Sequence, residues 1–498
     1  MEISRKYKVG KNRGDVMLLP PSVEDYVSPN NTVRAIEAYV NTLNLQELGF
    51  TNTRPQICSG QPAYAPQMLL KLYLYGYINR SHSSRRLQGE TKRNLEVIWL
   101  VEGLCPGYKT IADFRKDNAG ALKRANKDFV LLCNSLELFG GEECAVDGSF
   151  FKGNTSAANI HTEKNLKKVI AAVEKRIEEY QQRVDAQDAA EDKSGLCHSL
   201  EDSKLADKIA KLKERQTEKL ALQKKLEATP DTQISTVDPD ARLLKKNGKV
   251  VAGYNVQIAV DSKHKLIVAS EVTRDGNDSQ QLMPMLEKAQ ETLQSGNLKG
   301  LVDSGYNNSE QLKEAEDKGI EIYLPLPKLS EAATAEGRFT RDQFKYDALE
   351  NYYKCPQGET LRPREHSKVR NGRMVRVYSI AIATCANCPL RSKCLSEKAD
   401  HREIERWEHE AVIDRHKERM KNGGELMRKR SQIVEHPFGT MKFRAGMHHF
   451  LMRGMEKCQG EFSLMTLGYN FKRVLNIIGL DAFRDYCAQR SGKTLKMV

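Results

Sequence analysis

The chain lacks any apolar run near the ~18 residues that a membrane-spanning helix needs. Residues 1–13 are polar and basic and contain no apolar segment of the kind found in secretory signals, so we expect neither a membrane protein nor a secreted one. Without such a signal, the 11 cysteines argue against a disulfide scaffold and favour reduced thiols or metal ligands. These absences predict a cytoplasmic protein.

Acidic residues are also in deficit. The 66 Asp and Glu residues face 79 Lys and Arg residues, which leaves a formal charge of +13. An excess of this size favours a polyanionic partner, of which nucleic acid is the commonest, although a basic protein without such a partner fits the charge equally well. The length of 498 residues predicts about two to four domains.

Residues 1–140 carry the pattern of short helices joined by tight turns. Exposed Arg and Lys residues on such helices are typical of a helix-turn-helix-like DNA-binding module, and we expect Arg85, Arg86 and Arg115 to contact DNA. The alternative is a plain helical bundle whose charges are simply solvated. Both interpretations predict an all-helical domain.

The pattern changes to alternating strands and helices after residue 140. Residues 142–152 predict a buried strand that ends at Asp147, where Gly148 would let the backbone turn. Another short strand ends at Asp303. Further strands are predicted at 249–261, 266–273 and 320–324, and helices at about 278–294 and 308–318. This order predicts a mixed α/β sheet.

Residues 162–228 interrupt the sheet with a different composition. Apolar residues recur there at alternating spacings of four and three, a heptad seam formed by Leu166, Ile170, Val173, Ile177, Tyr180 and Val184. The seam breaks at 194–195 and restarts less cleanly. We therefore expect a helical hairpin, as an antiparallel coiled coil, whose seam either closes within one chain or joins two chains.

Residues 330–400 form a polar, β-like segment with four cysteines. Cys385 and Cys388 make a Cys-x₂-Cys unit, Cys394 follows six residues later, and Cys355 lies upstream beside Pro and Gly. This set suits tetrahedral, structural Zn²⁺, which would stabilise a small insertion with little core of its own. The alternative is four reduced thiols without metal.

Three acidic residues lie at positions where they could bind metal ions. Asp147 and Asp303 follow strands, and Glu435 lies at the start of a helical region. Carboxylates at strand ends converge in the crevice where α/β sheets bind ligands. Three of them could hold two Mg²⁺ ions ~3.5–4 Å apart, since Mg²⁺ prefers oxygen ligands. The competing interpretation is that these acids only serve turns and helix caps.

Several segments, taken in order, resemble the IS1182-type group of insertion-sequence transposases within the broader IS4-like DDE class. They are residues 18–26, 64–77, 110–115, 146–149, 238–242, 253–257, 434–442, 453–454 and 469–473. The resemblance covers nearly the whole chain, and the shared order makes it more specific than any single segment.

The resemblance implies a catalytic core with Asp147, Asp303 and Glu435 as first, second and third acids, binding Mg²⁺, with Mn²⁺ able to substitute. The implied fold is α/β, an RNase H-like mixed-sheet core with an N-terminal all-helical domain, a helical-hairpin insertion and a small Cys-rich β insertion. We expect a helical DNA-binding domain at 1–140, the first part of the core at 141–329, the Cys-rich insertion at 330–400, and the helical completion of the core at 401–498.

The same class carries a signature of Tyr, Arg, Glu and Lys around the third acid. Lys442 fits the Lys position, whereas Ser431 and Met427 stand at the Arg and Tyr positions. This leaves a base-stacking role unassigned and argues against a hairpin mechanism that uses the tyrosine. Cations predicted to contact DNA phosphates outside the N-terminal domain are Lys152, Arg428, Arg430 and Lys442, for which the alternative is a solvated surface.

Other polar residues lie near the expected acids. His436 could touch a phosphate or assist proton transfer, but a structural role is favoured. Asn255 and Gln257 lie on the strand beside Asp147, and with Asp238 and Asp240 they could support the site. The last two are also the alternatives if one metal ligand is misassigned.

Together these expectations describe a DDE transposase that cleaves DNA and transfers strands, with Mg²⁺, at the terminal inverted repeats of an insertion sequence. Its partners would be the double-stranded DNA of the transposon ends and of the target, and a homodimer would hold two ends near the bacterial nucleoid. The alternatives are an inactive or domesticated DNA-binding descendant, a plain nuclease, and a scaffold built on zinc and a coiled coil.

Overall fold

The computed structural model describes residues 22–54, 62–194, 199–246, 248–325 and 337–494. The chain divides into two compact units. The first contains Met1–Phe129 and Thr440–Val498, and the second contains Val130–Gly439. No helix in the described ranges is long and apolar enough to cross a membrane.

The first unit is helical. Its elements are a 3₁₀ turn Val23–Tyr26, α1 (Thr32–Asn41), α2 (Pro66–Ile78), α3 (Ser84–Arg93), α4 (Leu95–Leu100), α5 (Tyr108–Asp117), most of α6 (Ala119–Ser135) and, from the C-terminal part, α15 (Met455–Ile478) and α16 (Leu480–Thr494). The helices described between residues 22 and 135 agree with the helical pattern of 1–140, whereas the predicted domain bounds stay a prediction.

Two helices, α2 and α15, form the centre of this unit because both are buried over most of their length. Pro66 occupies the first turn of α2, where its missing N–H costs nothing, and almost every α2 residue is buried. Small residues let α15 approach closely. A Cβ at Gly468 would lie 3.1 Å from the Tyr77 Cβ, and one at Gly460 would lie 2.6 Å from the Ala119 Cα. Larger residues at these glycines would push the helices apart.

The second unit is built on a mixed sheet. Its strands are β1 (Glu143–Lys152), β4 (Arg242–Lys246), β5 (Lys249–Asp261), β6 (Ile267–Thr273), β7 (Lys299–Leu301) and β8 (Glu321–Tyr323). The order is β4-β5-β1-β7-β8, with β6 also paired to β5. Strand β5 is antiparallel to β1, β4 and β6, whereas β7 is parallel to both β1 and β8. The predicted mixed α/β architecture is confirmed.

The position of Asp147 differs from the prediction. It lies in the middle of β1, and Gly148 continues the strand opposite Gln257 rather than turning the chain. A Cβ at Gly148 would meet the Gln257 amide and would lie 2.5 Å from Asp278 Oδ1. The glycine is therefore required by crowding, which the sequence pattern cannot distinguish from a turn. Asp303, as expected, follows its strand.

The helices α9 (Leu282–Leu293) and α10 (Ser309–Asp317) lie close to their predicted positions. The hairpin consists of α7 (Glu163–Ser194) and α8 (Ser199–Glu227), with a small pair of strands, β2 (Ile160–Thr162) and β3 (Gln233–Ser235), at its base. Leu166 and Ile170 pack against Leu226, which makes the helices antiparallel. This part of the seam closes within one chain and is not available to a second chain.

The Cys-rich segment contains a second sheet. Its strands are β9 (Lys345–Asp347), β10 (Tyr352–Lys354), β11 (Thr360–Pro363), β12 (Lys368–Arg370), β13 (Arg373–Ser379) and β14 (Glu403–Trp407), and two short helices follow β13, α11 (Ile382–Ala386) and α12 (Arg391–Cys394). A compact core fills it, made of Phe344, Tyr353, Leu361, Tyr378 and Ile404. The sheet extends beyond residue 400 because β14 pairs with β13.

Three helical elements lie after this sheet. They are α13 (Glu410–Lys421), α14 (Gly424–Phe438) and a π-helical turn Gly439–Arg444. Helix α14 contacts β1, β5 and β7 in the second unit. It is therefore the element that can bring side chains to Asp147 and Asp303.

Candidate active site

The two predicted aspartates lie at the same level of neighbouring parallel strands. Ala145 pairs with Leu301, and each aspartate comes two residues later. Their side chains are 21% and 34% exposed, so both are partly open to solvent rather than buried in the interior. The structure thus brings Asp147 and Asp303 together.

Arg430, from α14, lies between these two acids. Its Nη2 is 3.0 Å from Asp147 Oδ1 and 3.8 Å from Asp303 Oδ2, and the side chain is only 12% exposed. Arg430 was predicted to contact a DNA phosphate. In this arrangement it instead balances the negative charges of the two carboxylates, and a phosphate would have to exchange with them.

The Asp303 side chain is held by the backbone of the turn that follows it. It caps the 3₁₀ turn Ser304–Tyr306, and its Oδ1 accepts a hydrogen bond of 2.9 Å from the Gly305 N–H. Tyr306 is fully buried, and its hydroxyl donates to Gln257 Oε1. Burial raises the pKa of Tyr306 well above its ordinary value; Asp278, Asp147 and Asp303 raise it further, while Arg430 opposes them. The phenol therefore lies within electrostatic reach of all three acids and of the arginine.

The sequence analysis missed Asp278. Its Oδ1 accepts hydrogen bonds from Asn255 Nδ2 at 2.8 Å and from Gln257 Nε2 at 2.6 Å, and the residue is 8% exposed. Asn255 and Gln257 are two residues apart on β5, where every neighbour from 253 to 261 is buried. Two amides on one face of a buried strand need polar partners. Two amides on one buried strand were therefore the sequence signal that a polar partner such as Asp278 lies nearby.

Glu435 is not brought into this group. It is exposed on α14, five residues from Arg430, which turns it about 140° around the helix axis. Among the described residues, no group of three or more His, Cys, Asp or Glu side chains is arranged to hold a metal ion. The carboxylate oxygens of Asp147 and Asp303 are ligands of the kind that Mg²⁺ prefers, and both lie near Arg430. Glu435, the predicted third ligand, does not form a group of three with them.

The alternative ligand Asp238 is engaged elsewhere. It is fully buried, and its carboxylate accepts a hydrogen bond of 2.6 Å from the Tyr254 hydroxyl. Tyr254 lies opposite Phe151, four residues further along β1 than Asp147. Asp240 and His436 are partly exposed.

The predicted DNA-contacting cations differ in exposure. Arg115 is 2% exposed, and its Nη1 lies 3.4 Å from Glu461 Oε1 and 3.0 Å from the Tyr77 hydroxyl. This position does not bring Arg115 to a surface that DNA could reach. The other predicted cations are exposed or partly exposed, namely Arg85, Arg86, Lys152, Arg428 and Lys442.

The four predicted zinc ligands line one small cavity of about 30 Å³. Burial raises the pKa of the Cys394 thiol, Arg402 opposes this, and Cys385, Cys355 and Cys388 add to the rise. The thiols therefore lie within electrostatic range of each other. They line the same cavity, although among the described residues no set of three is arranged to hold a metal ion.

Models of two protein families match the chain. One, described as "Transposase domain (DUF772)", matches residues 21–117, and the other, described as "Transposase DDE domain", matches residues 354–475. The second match includes Arg430 and Glu435, whereas Asp147, Asp278 and Asp303 lie outside both. No curated protein matches the chain.

Proposed function

We propose that the chain cleaves DNA and transfers strands, with Mg²⁺, at the terminal inverted repeats of an insertion sequence. The two transposase-domain matches and the resemblance to IS1182-type transposases support this proposal. The observation that carries this proposal is the pairing of Asp147 and Asp303, both partly exposed, around the Arg430 guanidinium. Carboxylates on neighbouring strands supply oxygen donors of the kind that hold metal ions in phosphoryl-transfer sites.

We propose that the sheet of the second unit is an RNase H-like core. Three antiparallel strands, β1, β5 and β6, are followed in the chain by β7, which is parallel to β1, and by β8, which is parallel to β7. The first acid lies on β1 and the second just after β7. This order supports a single catalytic crevice at the point where the parallel strands end.

Asp147 and Asp303 would hold the metal, with Glu435 as the third ligand and Mn²⁺ as a possible substitute. When bound, the metal would make a water or DNA 3′-hydroxyl more nucleophilic and stabilise the leaving oxygen. Arg430 keeps the two aspartates close by balancing their charge. Because it lies on the same helix as Glu435, both residues would respond to a rotation of α14.

The exposed cations would bind the DNA backbone. Arg85 and Arg86 lie on α3 in the first unit, while Lys152 and Arg428 lie in the second, and we include Lys442 with them. Arg115 is left out because it is buried. Such contacts position DNA without reading its sequence, so binding should weaken steeply with salt. A homodimer would hold both ends of the element.

The four cysteines of the second sheet would hold a structural Zn²⁺. Their convergence on one cavity supports this proposal. Cys388→Ser should lower the zinc content measured by atomic emission on purified protein and destabilise the segment. Cys105→Ser, at an exposed cysteine outside the cluster, is the control. Zinc content that does not fall with Cys388→Ser would leave four reduced thiols as the better description.

The test of the main proposal uses a labelled DNA duplex that carries one end of the insertion sequence. Asp147→Asn, Asp303→Asn and Glu435→Gln should each lower Mg²⁺-dependent nicking at least about 1,000-fold, or about 4 kcal/mol, while DNA binding survives. Asp275→Asn, at an exposed aspartate, is the matched control. Binding without cleavage under both Mg²⁺ and Mn²⁺ would favour an inactive descendant, an alternative that the transposase DDE match does not favour.

A further inference from the structure

Asp278 lies in the turn between β6 and α9, four residues before the helix begins. Its carboxylate is turned inward, whereas the neighbouring Asp275 and Asn277 are exposed. An acidic side chain in a surface turn would ordinarily remain in water. Its burial therefore calls for a reason.

The Asp278 carboxylate is anchored through one of its two oxygens. Oδ1 accepts from both Asn255 and Gln257, and Gln257 is itself held by the Tyr306 hydroxyl. These contacts fix the direction of the carboxylate through three buried side chains. Such a network is what holds a ligand in a defined position in a metal site.

The second oxygen of Asp278 approaches the second predicted acid. A Cβ at Gly305 would lie 3.6 Å from Asp278 Oδ2 and 2.9 Å from Asp303 Oδ1. The two carboxylates thus reach the same point from different directions. Gly148, directly after the first acid, is likewise crowded by Asp278. Each predicted aspartate is therefore followed, within two residues, by a glycine beside the Asp278 carboxylate.

The described groups beside Asp147 and Asp303 carry more negative than positive charge. Asp147, Asp303 and Asp278 bring three carboxylates, and Arg430 is the cation in described contact with two of them. The four groups carry a formal charge of −2, which one divalent cation would neutralise. Close carboxylates repel each other, so a partly buried group of this kind is unfavourable unless a cation joins it.

We propose that Asp278 is a fourth acidic residue of the catalytic site and that it strengthens divalent-cation binding by the Asp147–Asp303 pair. This inference rests on the proposed function and deepens it. The competing role is structural, in which Asp278 only ties the turn before α9 to β5. The two roles differ because the structural one needs hydrogen-bond acceptors, whereas the proposed one needs negative charge.

The experiment measures Mn²⁺ binding by electron paramagnetic resonance on full-length protein without DNA. Asp278→Asn keeps an oxygen for the two amide donors and removes the charge, so it should fold as the wild type does and weaken Mn²⁺ binding at least about tenfold. Asp275→Asn makes the same change three residues away and should bind Mn²⁺ as the wild type does. Circular dichroism and urea unfolding check the fold of each variant.

Asp278→Ala provides the second comparison because it also leaves the two amides without their acceptor. If Asp278→Asn restores Mn²⁺ binding that Asp278→Ala has lost, the role is structural and the inference is wrong. The same holds if Asp278→Asn leaves Mn²⁺ binding unchanged while Asp303→Asn weakens it, although the proposed function then stands. If Asp147→Asn and Asp303→Asn also leave Mn²⁺ binding unchanged, the proposed metal site fails as a whole.

Discussion

Each unit contains an arginine that meets carboxylates, and the two arrangements differ in burial. In the first unit, the side chains of Arg115 and Glu461 are 3% and 0% exposed. In the second, Arg430 is 12% exposed, and its partners Asp147 and Asp303 are 21% and 34% exposed. The first pair is sealed from solvent, whereas the second is partly open to it.

The partners of the carboxylates differ as well. Glu461 Oε1 accepts from Arg115 and the Tyr77 hydroxyl, and Oε2 accepts from the Leu451 and Met452 N–H groups at 2.9 and 3.0 Å. Both oxygens are used to hold the helical unit together. Asp303 reaches Arg430 only at 3.8 Å. A carboxylate in such a long ion pair can exchange its partner more easily, so the comparison separates a buried ion pair from one that is open to exchange.

Breaking the sealed pair should have the largest effect on stability. Glu461→Gln leaves the Arg115 charge buried without a counter-charge, so the free energy of unfolding should fall by about 3–5 kcal/mol in urea titrations. Arg430→Gln, at the open site, should cost less than about 1 kcal/mol.

The double variant Arg115→Met with Glu461→Gln sharpens this comparison. It removes both charges while the Gln oxygen still accepts from the backbone, so it should be more stable than Glu461→Gln alone. A double variant that is less stable than the single one would mean that the charge of Arg115 is not the source of the loss.

Crowding at the open site gives the next effect. Gly148→Ala places a Cβ against Gln257 and Asp278, and it should lower the free energy of unfolding by about 1–3 kcal/mol. Gly276→Ala, where a Cβ meets nothing within 4 Å and φ is not positive, should change stability by less than about 0.5 kcal/mol. Equal effects of the two substitutions would contradict the crowded site.

His82, whose backbone carbonyl accepts a hydrogen bond from Arg115, should also make stability depend on pH. Burial, followed by the charges of Arg115, His449, Arg86 and His448, lowers the pKa of His82 to about 4. The folded state then binds fewer protons than the unfolded state between pH 4 and about 6.5. The contribution to stability is complete above pH 6.5 and is lost as the pH falls toward 4, by at most about 1.4 kcal/mol per pH unit.

Urea unfolding at pH 7, 6 and 5 measures this dependence. His82→Gln removes the titrating group and should make the pH dependence shallower than in the wild type. An identical slope in the variant would assign the pH dependence to other groups.

The smallest effect is expected next to Arg115 in sequence. Lys116 is exposed and pairs with Asp113 at 3.0 Å on the helix surface. Lys116→Ala should produce no measurable shift of the urea midpoint, since exposed ion pairs contribute little. A loss comparable to that of Glu461→Gln would show that burial does not separate the two kinds of arginine cluster.

Patterns within short segments predicted much of the fold. Helix α2 follows from an apolar run with Pro66 at its start, and Asp303 was correctly placed after a strand. The prediction that the strand ends at Asp147 was wrong because a glycine in a strand indicates either a turn or a close neighbour. That neighbour, Asp278, is distant in the chain, so the pattern alone could not decide between them.

The sequence by itself determined the transposase resemblance, the mixed α/β content, the heptad spacing of α7 and the cysteine set. Tertiary structure decided that Arg115 is buried, that Arg430 meets Asp147 and Asp303, and that Asp278 lies beside Gly148 and Gly305. The reason is separation along the chain. Arg430 and Asp147 are 283 residues apart, and Arg115 and Glu461 are 346 apart. Local periodicity sets the elements, but only their packing sets which charges meet.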